Sequence, residues 1–139
     1  MIIKKLNNIM PKLRLIIDTE NPRARNWLIQ SRKTNNPAFA LLNAWTEFEY
    51  QIKNYNRNKY RNSVVKSRFM IDECAAVLDL SESDIDQLFQ IRNTRNGISH
   101  GLIERNEPEW SDVYFLLDLV KKYKISMRKM GREIIMEEE

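Results

Sequence analysis

Asn36-Pro37-Ala38-Phe39-Ala40-Leu41-Leu42-Asn43-Ala44-Trp45-Thr46-Glu47-Phe48-Glu49 is the stretch on which the fold turns. A capping residue is followed by proline at the first helical position, where its missing N–H costs nothing. Leu41, Leu42, Trp45, Phe48 and Ile52 then recur at the spacing of one helical stripe. The reading predicts a helix from Pro37 to about Tyr55 with one strongly apolar face.

Similar punctuation recurs on both sides. Asn21-Pro22 opens a short helix that carries Trp27, Leu28 and Ile29. Residues 1–17 alternate apolar and basic positions and read as a short amphipathic helix, bent near Pro11. Asn54 to Asn62 is polar, basic and rich in Asn, and reads as a loop or a frayed helix end. Ser63 opens a helix to about Leu80, with Val64, Phe69, Met70, Cys74, Val77 and Leu78 as core candidates. Ser81-Glu82-Ser83-Asp84 places hydroxyl caps and acids where a helix N-terminus favours them. The helix that follows carries Leu88, Phe89 and Ile91 and ends near Gly101. After Pro108 a last helix runs from Trp110 to about Met130, before Gly131 and an acidic tail at 131–139.

The chain has 139 residues, with 3 Gly and 4 Pro, which fits one helical domain and not a turn-rich β fold. The expected fold is all-α: an up-and-down four-helix bundle over 37–130, with an N-terminal helical arm over 1–33. The net charge is +4 and the pI about 9.2, compatible with an anionic partner without demonstrating one. No apolar stretch approaches the ~20 residues of a membrane span, and polar residues interrupt any signal-peptide core at the N-terminus. A soluble cytoplasmic protein without a membrane role is expected.

Chemistry concentrates in Arg92-Asn93-Thr94-Arg95-Asn96-Gly97-Ile98-Ser99-His100-Gly101, which holds the chain's one histidine. On a helix Arg92, Asn96 and His100 fall at i, i+4 and i+8, flanked by Arg95 and Ser99. Arg neutralises phosphate charge, His moves protons near neutral pH, and Asn orients by hydrogen bonding. The plain alternative is a helix C-terminus whose cations complement the helix dipole. Gly97 inside a helix costs on the order of 1 kcal/mol relative to Ala, so it suggests a special backbone position or a close approach. One Cys, one His and scattered carboxylates have no zinc spacing, and there is no Gly-rich phosphate loop, so no metal or cofactor is expected. The Lys53–Arg68 stretch is a weaker candidate. Arg57, Lys59, Tyr60 and Arg61, with Tyr55, could track phosphates and stack bases, although a solvated connection has the same composition. The cations from Lys121 to Arg132 are ordinary for a helix end.

The Arg95-Asn96 pair, with four residues from Asn96 to Ser99 between Arg95 and His100, resembles the signature of the HEPN superfamily. The Pro37–Glu49 stretch is similar to the first core helix of many bacterial members, and the order of helices agrees over roughly Pro37 to Lys124. The resemblance implies a dimeric four-helix bundle and, in many members, a metal-independent endoribonuclease with Arg and His from both subunits at the two-fold axis. Carried over, Arg95 stabilises the phosphate in the transition state and His100 acts as general base or acid. Asn96 orients His100 or the RNA, and Glu49 pairs with Arg95 or His100 or makes a structural salt bridge. Members paired with small nucleotidyltransferases often carry Tyr two residues after the His; here that position is Leu102, so pairing with an antitoxin of that kind lacks its tyrosine. The resemblance implies an RNA-cleaving homodimer in toxin–antitoxin, stress or phage-defence settings, with an antitoxin or regulatory protein as a possible partner. Its rivals are a non-catalytic module that dimerises or binds RNA or protein, and a helical subunit docking through residues 1–33.

Overall fold

The computed structural model of the chain describes residues 22–57, 66–101 and 107–138. These form five helices: α1 Pro22–Lys33, α2 Pro37–Tyr55, α3 Ser67–Leu78, α4 Glu82–Ser99 and α5 Trp110–Glu138. Among the described residues there is no strand, so the all-α expectation holds. No helix among them is long and apolar enough to cross a membrane. The amphipathic stretch 1–17, the Ser63 start with Val64, the candidates Lys59, Tyr60 and Arg61, and Leu102 lie outside the described residues.

The caps read from the sequence form as local chemistry requires. The Asn36 side-chain oxygen accepts a 3.1 Å bond from the Phe39 N–H, and Pro37 takes the first position of α2. The Ser81 hydroxyl accepts a 3.2 Å bond from the Asp84 N–H at the start of α4, with Glu82 and Asp84 in the first turn.

α2 is the central helix and packs against each of the other four. It buries Ala40, Leu41, Ala44, Trp45, Phe48 and Ile52 completely or nearly so. The two alanines on this face let neighbours approach closely, and Trp45 and Phe48 fill the volume between, their ring centroids 5.0 Å apart. Against this face lie Leu28 of α1, Met70, Ile71 and Cys74 of α3, and Leu88 and Ile91 of α4. Val113, Leu116, Val120 and Tyr123 of α5 close the core. Each large side chain buried here contributes about 1.5–3 kcal/mol by removing apolar area from water.

α2 and α5 run in the same direction. At one end the Trp110 indole N–H donates to the Asn35 side-chain oxygen at 3.1 Å. At the other end Asn56 Nδ2 donates to the Tyr123 hydroxyl at 2.7 Å, and Arg128 Nε donates to the Tyr55 hydroxyl at 3.1 Å. Strict alternation over α2 to α5 would oppose these two helices, so this pair departs from a plain up-and-down order.

Three further readings are corrected. Phe69, expected in the core, is 58 % exposed, and Ile71 is buried in its stead. Met70, Cys74 and Ile71 span about 100° on the inward face of α3, and Phe69 lies about a further 100° beyond Met70, on the side opposite Ile71. α3 begins at Ser67 and ends at Leu78, where Asp79 turns the chain with a left-handed φ of 50°. α5 does not stop near Met130: it passes through Gly131 and reaches Glu138, across residues expected to form an acidic tail. A single helical glycine costs only about 1 kcal/mol, and good helix formers flank it here.

Candidate active site at the end of α4

The inward stripe of α4 is built from Leu88, Ile91 and Ile98, the first two fully buried and the third packed on the core. Arg95 stands four residues after Ile91 and three before Ile98, so a cation occupies a position of the apolar stripe. It is half-buried, as a long side chain is when its stem covers apolar surface and its head reaches outward. Its Nη1 donates to the Asn96 side-chain oxygen at 3.2 Å. At 100° per residue, Arg95, Ser99, Arg92, Asn96 and His100 spread in that order over an arc of roughly 140°, from the core stripe round to solvent.

Arg92 lies in the middle of that arc. Its guanidinium carbon is 5.0 Å from the centroid of the Phe89 ring, and Nη2 donates to Asn93 Oδ1 at 3.4 Å. Its Nε is buried and, among the described residues, has no hydrogen-bond acceptor.

His100 closes the helix. Its backbone N–H bonds the Asn96 carbonyl at 3.1 Å, and its φ and ψ of −97° and 7° have left the helical region. Gly101 follows with φ +75°, and its N–H bonds the Ile98 carbonyl at 3.1 Å. This left-handed residue ends the helix as the sequence suggested, and glycine adopts it without steric cost. The imidazole and the Ser99 hydroxyl are exposed. Gly97 has no unusual φ; it is buried within α4, so of the two reasons offered for a mid-helix glycine, close approach is the one its burial supports.

The structure therefore brings Arg92, Arg95, Asn96, Ser99 and His100 onto one surface of one helix end. It does not add Glu49. The Glu49 carboxylate lies 3.8 Å from Lys53 Nζ one turn further along α2, and among the described residues that is its ion pair. Of the two readings offered for Glu49, the one recorded among the described residues is the structural bridge, partly exposed and worth about 0.3–0.5 kcal/mol.

Of the weaker basic candidates, Arg57 is exposed and its Nη2 donates to Asn54 Oδ1 at 2.7 Å. Tyr55 is engaged within the protein. Its ring meets Tyr123 edge-on at 6.2 Å and its hydroxyl holds Arg128. The Cys74 thiol is pushed up to about 12, first by burial and then by the nearby Glu73 carboxylate, so it is inert near neutral pH.

One constellation was not legible beforehand. Arg32 of α1 lies 4.5 Å above the Trp110 ring and 6.0 Å from that of Tyr114, and these two rings are themselves stacked at 6.3 Å. With the Asn35–Trp110 bond, this clamps the end of α1 to the start of α5. No spacing in the sequence links residues 75 positions apart. Comparison with family models, with characterised proteins and with solved structures gave no match.

Proposed function

We propose that the chain is a metal-independent endoribonuclease of the HEPN type, acting as a homodimer on RNA. The observation that carries this reading is the half-buried Arg95, bonded to Asn96, on the same helix end as the exposed His100. Arg95 and Arg92 supply charge and N–H donors for a phosphate. The exposed His100 is the general acid or base of this reading.

In this chemistry a base removes the proton of the ribose 2′-hydroxyl, whose oxygen attacks the adjacent phosphorus. The bond to the 5′-oxygen breaks, an acid protonates that oxygen, and the products carry 2′,3′-cyclic phosphate and 5′-hydroxyl ends. One proton is taken and another is given, and each chain has a single histidine. Two copies meeting across the α4 ends would supply both, with Asn96 orienting imidazole or RNA and Arg92 and Ser99 supporting. In this proposal α2 to α5 are the four-helix bundle, with α1 and the preceding arm added to it, although the parallel α2–α5 pair tells against plain alternation. A cytoplasmic setting in defence or stress response, with an antitoxin or regulatory partner, belongs to the same reading.

The test is RNA cleavage by purified protein in excess chelator, beside Arg95→Ala and His100→Ala, with the product ends identified. Chelator-resistant cleavage to cyclic-phosphate ends, lost in both variants while they remain folded dimers, supports the reading. A folded dimer that cuts no RNA in a broad panel overturns it.

The second reading is a non-catalytic dimerisation or binding module. It is favoured by the position of Arg95 on the core stripe with its hydrogen bond already satisfied by Asn96, as in a structural network. Loss of folding or dimerisation in Arg95→Ala, with no cleavage by the unaltered protein, selects it.

A further inference from the structure

A groove of about 630 Å³ opens where the end of α3, the start of α4 and the middle of α5 meet, away from the α4 C-terminus. Its apolar lining comes from Leu78, Leu80, Phe115, Leu119 and Ile125. Ile125 is 56 % exposed, so apolar surface faces water here. Carboxylates of Asp79, Asp84 and Asp118 also line it, against one ammonium, Lys122, which is already 2.8 Å from Asp118. The groove is thus acidic on a chain whose net charge is +4.

The chain contains a segment of complementary chemistry. In residues 1–17, Ile2, Leu6, Ile9, Leu13 and Ile16 recur at alternating steps of four and three, the spacing of one helical face. Lys4, Lys5, Lys12 and Arg14 accompany them, and no acid precedes Asp18. The α5 side of the groove, Phe115 to Ile125, is about 15 Å long, which some ten helical residues cover. Docking within the same chain is intramolecular, so where the linker spans the distance modest contacts suffice.

We propose that residues 1–17 dock in this groove of their own chain, apolar face on the Leu119–Ile125 floor and cations toward Asp79, Asp84 and Asp118. The segment is then a built-in occupant that a competing basic amphipathic helix could displace. This rests on the groove and the N-terminal sequence alone and is independent of the ribonuclease reading.

The test uses the full chain with Asn7→Cys, on the polar side of that spacing, carrying a nitroxide. Cys74 is fully buried, so the label goes to residue 7 alone. Paramagnetic broadening of the Leu80, Leu119 and Ile125 amides is expected in dilute protein. It should fall at least two-fold when Lys4, Lys5, Lys12 and Arg14 are changed to Glu, and return when Asp84→Lys and Asp118→Lys are added. Absence of broadening in the folded chain overturns the proposal. So does broadening seen only from a labelled copy onto an isotopically marked second copy, which would assign the groove to the partner's segment. Broadening indifferent to the four charge reversals overturns it as well.

Discussion

Arg95 donates from Nη1 to the Asn96 side-chain oxygen at 3.2 Å, so the two candidate residues that are neighbours in sequence hold each other in space. Asn96→Ala removes the acceptor and leaves the guanidinium mobile on the α4 surface. If the site cleaves RNA, single-turnover cleavage should fall by about 10- to 100-fold in Asn96→Ala, the scale of a lost positioning contact. It should fall by at least about 10²–10⁴-fold in His100→Ala, the scale of general acid–base catalysis. An Asn96→Ala chain with unchanged cleavage, or one slower than His100→Ala, contradicts these roles.

Asn56 ties the lower end of the parallel pair, giving one N–H donor to the Ile52 carbonyl and one to the Tyr123 hydroxyl, each at 2.7 Å. Tyr123→Phe keeps the buried ring and loses the bond, so urea unfolding should show a loss of about 1 kcal/mol. Tyr123→Ala opens a cavity in the core and should cost about 3–5 kcal/mol. Equal effects of the two substitutions would mean that the ring contributes nothing to packing.

The clamp of Arg32 on Trp110 makes a prediction about α1 alone. Arg32→Ala should cost about 0.5–1 kcal/mol of cation–π and stem packing. In native-state hydrogen exchange, the loss should appear as faster exchange of α1 amides, with α3 and α4 unchanged. Uniform acceleration across the chain would mean that α1 unfolds only with the whole molecule.

Cys74 supplies a pH dependence. Its thiol is raised from 9.0 to about 12 in the folded chain by burial and by Glu73. The folded state therefore keeps the proton where the unfolded state releases it. This contribution is fully present below pH 9 and is lost as pH climbs toward 12. The slope is up to about 1.4 kcal/mol per pH unit. Urea unfolding of the unaltered chain and of Cys74→Ala between pH 8 and 11 should diverge in that direction. At pH 8 a thiol reagent should modify Cys74 no faster than the chain unfolds. Rapid labelling of the native protein would show the thiol to be accessible.

What the sequence settled by itself is local. Asn36-Pro37 and Ser81-Glu82-Ser83-Asp84 start helices because a side-chain oxygen and a backbone N–H three residues on are the whole mechanism. The α2 face of Leu41, Trp45, Phe48 and Ile52 was legible because helical period alone puts those residues together. The end of α4 at Gly101 was legible because glycine takes the left-handed φ of a helix stop without steric cost. The clustering of Arg92, Arg95, Asn96 and His100 on one helix end also follows from period, whatever the surrounding fold.

What only the tertiary structure decided depends on partners distant in the chain. Phe69 and Ile71 are equally apolar, and which one is buried is set by the face that α2 and α5 cover. Tyr55 was equally suited to stacking on a base or on a protein ring, and Tyr123 and Arg128, brought alongside by the parallel α5, took it. Gly131 is a local exception: its stop signal, at about 1 kcal/mol, was too weak to end a helix whose neighbours favour continuing. Caps and stripes are short-range and their energies are written in neighbouring residues, whereas burial and pairing belong to surfaces that exist only once the helices have met.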